Sequence, residues 1–176
     1  ELDEITNFLT VSDKLGTAGQ PRREQFDAVA VEGYEVVVNL SMPDSTGALA
    51  DEAAVVTALG MEYVHIPVVW ERPTIDDVER FFSAMERYQG RKVFVHCALN
   101  MRVSCFVWLY RVIIEAVPLD EATRTMALVW QPNEVWQRFL ERALAHYAQQ
   151  RPPRRSRRKG SIIRPSLTVL SPAQIE

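Results

Sequence analysis

The residues with the clearest chemical potential lie in one short run, His96–Ser104, which reads HCALNMRVS. The apolar segment Lys92–His96 leads into it and is typical of a buried strand. The segment Arg102–Glu115 follows and is apolar nearly all round, like a buried helix. Cys97 is therefore predicted at a strand-to-helix junction. Because backbone N–H groups at a helix start bind anions and favour a thiolate over a thiol, Cys97 is a candidate nucleophile at neutral pH.

Two charged or polar neighbours of Cys97 extend this prediction. Arg102 follows five positions later, and its planar guanidinium can bind two oxygens of a phosphate-like anion. His96 points to the other face of its strand, so we expect it to hold the loop by hydrogen bonds and not to act as a base. Ser104 is either an ordinary helix residue or a hydroxyl that donates to the thiolate. The backbone of four further residues is predicted to bind the anion: Ala98, Leu99, Asn100 and Met101.

The elements that must position this loop are strands alternating with helices. Three β-branched runs have the near-continuous apolar character of strands buried on both faces: Tyr34–Leu40, Tyr63–Val69 and Lys92–His96. Since parallel neighbours need crossover helices, this alternation predicts an α/β fold with a central, mostly parallel sheet flanked by helices in a single domain. Residues 7–18 are predicted to add a hairpin at the front.

Start and stop signals outline the helices. Pro21 is expected at the first position of a helix that ends at Gly33, and a second helix is expected near Ala48–Leu59. Thr74 begins a capping-box pattern for a third helix, and Asn133 is expected to cap the last one. Ligands of parallel sheets bind beyond the carboxyl ends of the strands, which is where the Cys97 loop is predicted.

The loop resembles that of cysteine-dependent phosphatases of the dual-specificity type, which reads His-Cys, five residues, Arg, then Ser or Thr. The chain is most similar to a bacterial branch of small phosphatase-like proteins, on the segments TAGQP at 17–21, VVNL at 37–40 and VHC at 95–97. The resemblance covers about residues 5–145. It implies a cysteine-phosphatase-like fold, a phosphocysteine intermediate, and neither a metal nor another cofactor. The substrate it implies is a phosphorylated protein or a small phosphate ester.

A phosphatase of this kind also needs an acid that protonates the leaving oxygen. The resemblance places this acid in the loop after the IPV segment at 66–68, where Glu71 is the first candidate. Asp44 is the second, because its loop borders the same edge of the sheet. Each of these carboxylates has the alternative of being an ordinary exposed loop residue. Trp70 either walls the substrate pocket or packs on the edge of the core.

One position departs from the family pattern. Only four residues separate Cys97 from Arg102, Val103 occupies the usual arginine place, and Ser104 keeps the family's spacing from cysteine. Asn100 stands where the family commonly has glycine, and asparagine tolerates the left-handed conformation best among the other residues. A one-residue shift rotates a side chain by about 100° at a helix start. Two alternatives to a phosphatase therefore stand: a non-catalytic phosphate- or phosphoprotein-binding protein, and a rhodanese-type sulfurtransferase.

Composition and charge narrow the class of protein further. Residues 1–150 carry a net charge of −9, with 13 basic and 22 acidic residues, which argues against nucleic-acid binding by the folded domain. Residues 151–176 carry +6, with seven basic residues and one acidic residue, and are predicted to be a disordered basic tail. No apolar run is long enough to cross a membrane. The chain shows no export signal and its two cysteines suit a reducing compartment, so we expect a cytoplasmic protein.

Overall fold

A computed structural model describes residues 1–150, and the predicted basic tail lies outside them. This part of the chain forms an α/β fold with one five-stranded sheet, which confirms the predicted fold class. The strands are β1 (Leu9–Ser12), β2 (Leu15–Ala18), β3 (Val36–Asn39), β4 (Glu62–His65) and β5 (Val93–His96). The helices are α1 (Gln25–Val31), α2 (Glu52–Ala58), α3 (Ile75–Arg87), α4 (Met101–Ile113), α5 (Leu119–Ala127) and α6 (Glu134–Gln150).

The order of strands across the sheet is β1-β2-β5-β3-β4. Strand β1 pairs with β2 as the expected antiparallel hairpin, and the other neighbours are parallel. Strand β5, which leads to Cys97, therefore occupies the centre of the sheet. In register, Phe94 pairs with Gly16 of β2 on one side and with Val37 of β3 on the other.

Two hydrophobic clusters cover the faces of the sheet. The larger one packs α3, α4 and α6 against inward-facing strand residues such as Val38 and Val95. The smaller one packs α1 and α2 against the opposite face, through Val37 and Phe94. Strands β3 and β5 are buried along their whole length, as their continuous apolar character predicts, and β2 is buried as well. The same prediction for residues 63–69 is wrong in part, because β4 is an edge strand in which Glu62 and His65 are exposed.

Helix ends follow the sequence signals except at the starts of α1 and α2, and α2 begins at Glu52, four residues after the predicted start. Thr74 Oγ1 accepts from the Asp77 amide at 3.1 Å, and Asn133 Oδ1 accepts from the Trp136 amide at 3.0 Å, so both predicted caps are confirmed. The first helix starts at Gln25, and the prediction of a start at Pro21 is wrong. The Gln25 side chain accepts from the Arg22 amide at 2.8 Å, which holds residues 22–25 in a turn before the helix begins. No helix among residues 1–150 is long and apolar enough to cross a membrane.

Candidate active site

Cys97 lies directly after β5 and is 1% exposed. Its amide donates to the Ala18 carbonyl of the neighbouring strand at 3.3 Å. The first bond of α4 runs from the Ser104 amide to the Asn100 carbonyl at 2.9 Å. The amides of residues 101–103 precede that bond and have no acceptor within the helix, so they remain available to an anion. The structure thus places Cys97 at the predicted strand-to-helix junction.

The N-terminal segment fixes the outer side of the Cys97 loop. The Ala98 carbonyl accepts from the Gln20 amide at 3.0 Å, and the Leu99 carbonyl accepts from Asn7 Nδ2 at 3.0 Å. Gly19 approaches so closely that a Cβ at this position would lie 2.6 Å from the Ala98 oxygen. Residues that precede the loop by as many as 92 positions therefore fix its outer side.

Asn100 makes the turn from the loop into α4. It is fully buried and adopts the left-handed conformation, with φ 67° and ψ 0°, as its place in the family pattern predicts. Its Nδ2 donates to the Asn7 carbonyl at 2.9 Å and to Thr17 Oγ1 at 3.0 Å. Asparagine thus supplies both the backbone conformation and two hydrogen bonds that glycine could not make.

Arg102 points inward and is 5% exposed. Its Nη1 donates to the Val68 carbonyl at 2.9 Å, and its Nη2 donates to Ser45 Oγ at 3.4 Å. Val68 belongs to the loop after β4, and Ser45 belongs to the loop after β3. The guanidinium therefore joins α4 to two loops at the carboxyl edge of the sheet and is paired with neutral acceptors.

The candidate acids Asp44 and Glu71 are both exposed, on the two loops that contact Arg102. Asp44 precedes Ser45, and Glu71 follows Val68 by three positions. The structure thus brings both loops to the Cys97 edge, as the parallel topology predicts.

Trp70 packs on the edge of the core. Its ring lies 5.4 Å from the Trp130 ring and 5.6 Å from the Trp136 ring, between centroids. Trp136 Nε1 also donates to the Trp70 carbonyl at 3.1 Å. These contacts connect the loop that carries Glu71 with α6 and with the loop that precedes α6. A contact between Trp70 and substrate stays a prediction.

Ser104 is engaged within the helical layer. Its hydroxyl donates to the Met101 carbonyl at 2.7 Å and accepts from Trp130 Nε1 at 2.9 Å. A hydroxyl has one proton, so in this conformation Ser104 does not donate to the Cys97 thiolate. The first of its two interpretations, a residue of the helix, describes this arrangement.

His96 is fully buried beneath the loop, and its Nε2 lies 2.8 Å from Glu52 Oε2. Glu52 is 2% exposed and also contacts the side chains of Gln20 and Asn39. Glu52 is not among the predicted site residues, because a glutamate in the first turn of a helix is typical of a solvated position. The only available signal is that His96, on a strand buried on both faces, requires a polar partner.

Cys105 belongs to the core, as its apolar helix predicts. It is fully buried, its sulfur lies 3.9 Å from Met126 Sδ, and burial raises the pKa of its thiol to about 12. It is therefore a poor nucleophile at neutral pH. Among residues 1–150, no three His, Cys, Asp or Glu side chains group as metal ligands.

Proteins of known sequence and structure resemble this chain. A "Beta-lactamase hydrolase-like protein" of Xylella fastidiosa is 30% identical over 118 residues, 65% of this chain, which spans only 27% of that relative's length. A DUF442 protein of Shewanella putrefaciens, provisionally assigned as a phosphatase, is 35% identical, with a TM-score of 0.75 over 83% of this chain and 96% of its own. P. aeruginosa TpbA shares the fold at 15% identity, with a TM-score of 0.65 over 82% of this chain and 90% of its own.

A family profile also matches residues 9–141, which hold the whole sheet, the Cys97 loop and most of the helical layer. Its description is PTP-NADK, a DSP-PTPase phosphatase fused to NAD+ kinase. This match confirms the resemblance to dual-specificity-type cysteine phosphatases that the loop residues indicate. The chain belongs to the PTP-NADK family of DSP-PTPase phosphatases.

Proposed function

We propose that this chain hydrolyses phosphate monoesters with Cys97 as the nucleophile. The observation that carries the proposal is the orientation of Arg102, whose buried guanidinium faces the carboxyl edge of the sheet between two loops. An arginine on a helix start without a nearby anion is unfavourable, and here its acceptors are neutral oxygens. Family membership supports phosphatase chemistry at this edge.

The proposed reaction has two steps. The Cys97 thiolate attacks phosphorus, a P–S bond forms, the P–O bond to the leaving group breaks, and the departing oxygen takes a proton from a carboxyl group. Water then attacks phosphorus and gives a proton to the same group, now a carboxylate, while the P–S bond breaks to return the thiolate and release inorganic phosphate. Arg102 and the loop amides bind the non-bridging oxygens in both steps.

Two carboxylates stand as the proton donor, Asp44 and Glu71. Both are exposed, and each lies on a loop that Arg102 contacts at the Cys97 edge of the sheet. Substrates with the required chemistry are phosphorylated protein side chains and small phosphate esters. Location in the cytoplasm belongs to this proposal and rests on the two thiols of the chain.

The test compares the two cysteines in hydrolysis of an aryl phosphate in mild acid. We expect Cys97→Ser to lose turnover to background, because serine lacks a nucleophilic anion at this pH. We expect Cys105→Ser, the matched control, to stay near the wild-type rate. Unchanged turnover in Cys97→Ser would contradict the proposal. The same assay compares Asp44→Asn with Glu71→Gln. The substitution that lowers kcat by about 10²-fold or more identifies the proton donor.

A further inference from the structure

A buried histidine–carboxylate pair lies directly behind the Cys97 loop. Glu52 is 2% exposed and His96 is 0% exposed, and their hydrogen-bonded atoms are 2.8 Å apart. Removing such groups from water is costly unless they pair with each other. The proposed chemistry assigns no role to Glu52, although this pair is the only fully or almost fully buried His–carboxylate contact among the ion pairs of residues 1–150.

The surroundings of Glu52 favour its ionised form. Gln20 Nε2 donates to Oε1 at 2.7 Å, and Asn39 Nδ2 donates to Oε2 at 3.0 Å. Burial by itself raises the pKa of this carboxyl, but the hydrogen bonds and charge of His96, with the bonds from Gln20 and Tyr63, bring the pKa below its ordinary value of 4.5. Glu52 is therefore a carboxylate at neutral pH and accepts hydrogen bonds only.

The second ring nitrogen of His96 faces another acceptor. Its Nδ1 lies 3.4 Å from the Cys97 carbonyl oxygen. A neutral imidazole can donate from one nitrogen only, whereas an imidazolium donates from both. The other neighbours of the ring are apolar aromatics, Phe26 of α1 at 6.0 Å and Phe94 of β5 at 6.3 Å between centroids. Glu52 is thus the anion that faces the ring.

We propose that Glu52 is a positioning residue that holds His96 as an imidazolium. The two N–H groups of this imidazolium connect the Glu52 carboxylate to the Cys97 carbonyl. This inference rests on the proposed function only for its catalytic consequence. The carbonyl of the nucleophile's own peptide is then fixed from below by a charge-assisted bond, while the amides of the loop remain available to the phosphoryl group.

The substitution that isolates this role is Glu52→Gln, with Glu62→Gln on exposed strand β4 as the matched control. Glutamine keeps the shape and removes the charge. Its new NH₂ group would face Gln20, whose Oε1 has no hydrogen-bond partner. Reversal of the Gln20 amide would bring that oxygen to the new NH₂ group, with loss of the bond from Gln20 Nε2 to the Pro21 carbonyl. We therefore expect the variant to fold, and its unfolding temperature checks this.

The first readout does not depend on turnover. In ¹⁵N NMR spectra at pH 7, we expect both ring nitrogens of His96 to be protonated in the wild-type protein. In Glu52→Gln, we expect one protonated and one unprotonated nitrogen. A wild-type His96 with a single ring proton would overturn the proposal, and this measurement needs no variant to fold.

The second readout separates positioning from a purely structural role. With an aryl phosphate, we expect Glu52→Gln to lower kcat by about 10²-fold with KM changed by less than about threefold, because a small displacement of a nucleophile impairs the reaction more than binding. Glu62→Gln should match the wild type. Unchanged kcat in a folded Glu52→Gln would overturn the positioning role. If the wild type hydrolysed no phosphate ester, the proposed function would fail while the NMR result would still test the imidazolium.

Discussion

Asn100 combines two tasks at one position, since its backbone takes φ 67° and its amide donates to Asn7 and Thr17. An alanine would lose both hydrogen bonds and also strain the backbone, whereas a glycine would lose only the bonds. We expect Asn100→Ala to lower the free energy of unfolding by about 1 kcal/mol more than Asn100→Gly does. Urea unfolding measures both. Equal stability of the two variants would contradict a role for the left-handed turn.

At the level of single residues, the sequence predicts a position best where recognisable strand and helix patterns lie on either side of it. Cys97, Asn100 and the core position of Cys105 could be placed because strand and helix patterns bracket them. Glu52 could not, because its hydrogen bonds come from Gln20, Asn39 and His96, which lie on other elements. Such a partner is defined only once the chain has folded.

Among the elements, α3 has a consequence for the site. Thr74 caps its N-terminus directly after the loop that carries Val68 and Glu71, so its first turn fixes the end of that loop. Thr74 Oγ1 accepts from the Asp77 amide, and the Asp77 carboxylate accepts from the Thr74 amide. This reciprocal cap fixes the point at which the loop ends and α3 begins.

We expect Thr74→Ala to lower the free energy of unfolding by about 1 kcal/mol, since it leaves an end amide of α3 without its acceptor. Thr57→Ala is the matched control. The Thr57 hydroxyl donates to the Ala53 carbonyl within α2 and caps no amide, so its loss should change stability by less than about 0.5 kcal/mol. Denaturant unfolding compares the pair, and equal losses would show that the cap contributes nothing specific.

Element boundaries could be predicted wherever a local signal acts alone. The hairpin, the central strand and the caps at Thr74 and Asn133 depend on neighbouring residues, and the structure has them. The start of α1 could not be predicted, because Gln25 donates to the Glu4 carbonyl as well as accepting from Arg22, and so ties the turn to the N-terminal segment. Proline at 21 permits a helix start but does not require one.

For the molecule as a whole, pH acts on stability through carboxylates whose pKa is lowered in the folded state. Glu52 is the buried member of this group, and Glu35 and Asp51 are exposed members beside Lys92 and Arg23. A lowered folded pKa means that the unfolded chain binds the proton first as the pH falls. The stabilisation is therefore complete above the ordinary pKa and is lost below it.

We expect the wild-type protein to lose stability as the pH falls below the ordinary glutamate value of 4.5, and Glu52→Gln to lose less. One such carboxylate changes the free energy of unfolding by at most about 1.4 kcal/mol per pH unit. Urea unfolding of both proteins measures this difference. The pH values should run from about 6 to about 3, the range in which carboxylates titrate. Parallel pH curves would mean that Glu52 does not titrate differently in the two states.

The central place of β5 in the sheet also orders events in time. Its partners β2 and β3 are synthesised early, whereas β5 itself is synthesised only after α3. Until β5 inserts between β2 and β3, Cys97 has no folded surroundings. This insertion pairs strands that are far apart in the sequence, and such pairing slows folding. The Cys97 loop can therefore take its folded conformation only after β5 has been synthesised and has inserted between its two partners, and Cys97, the proposed nucleophile, gains its surroundings at that step.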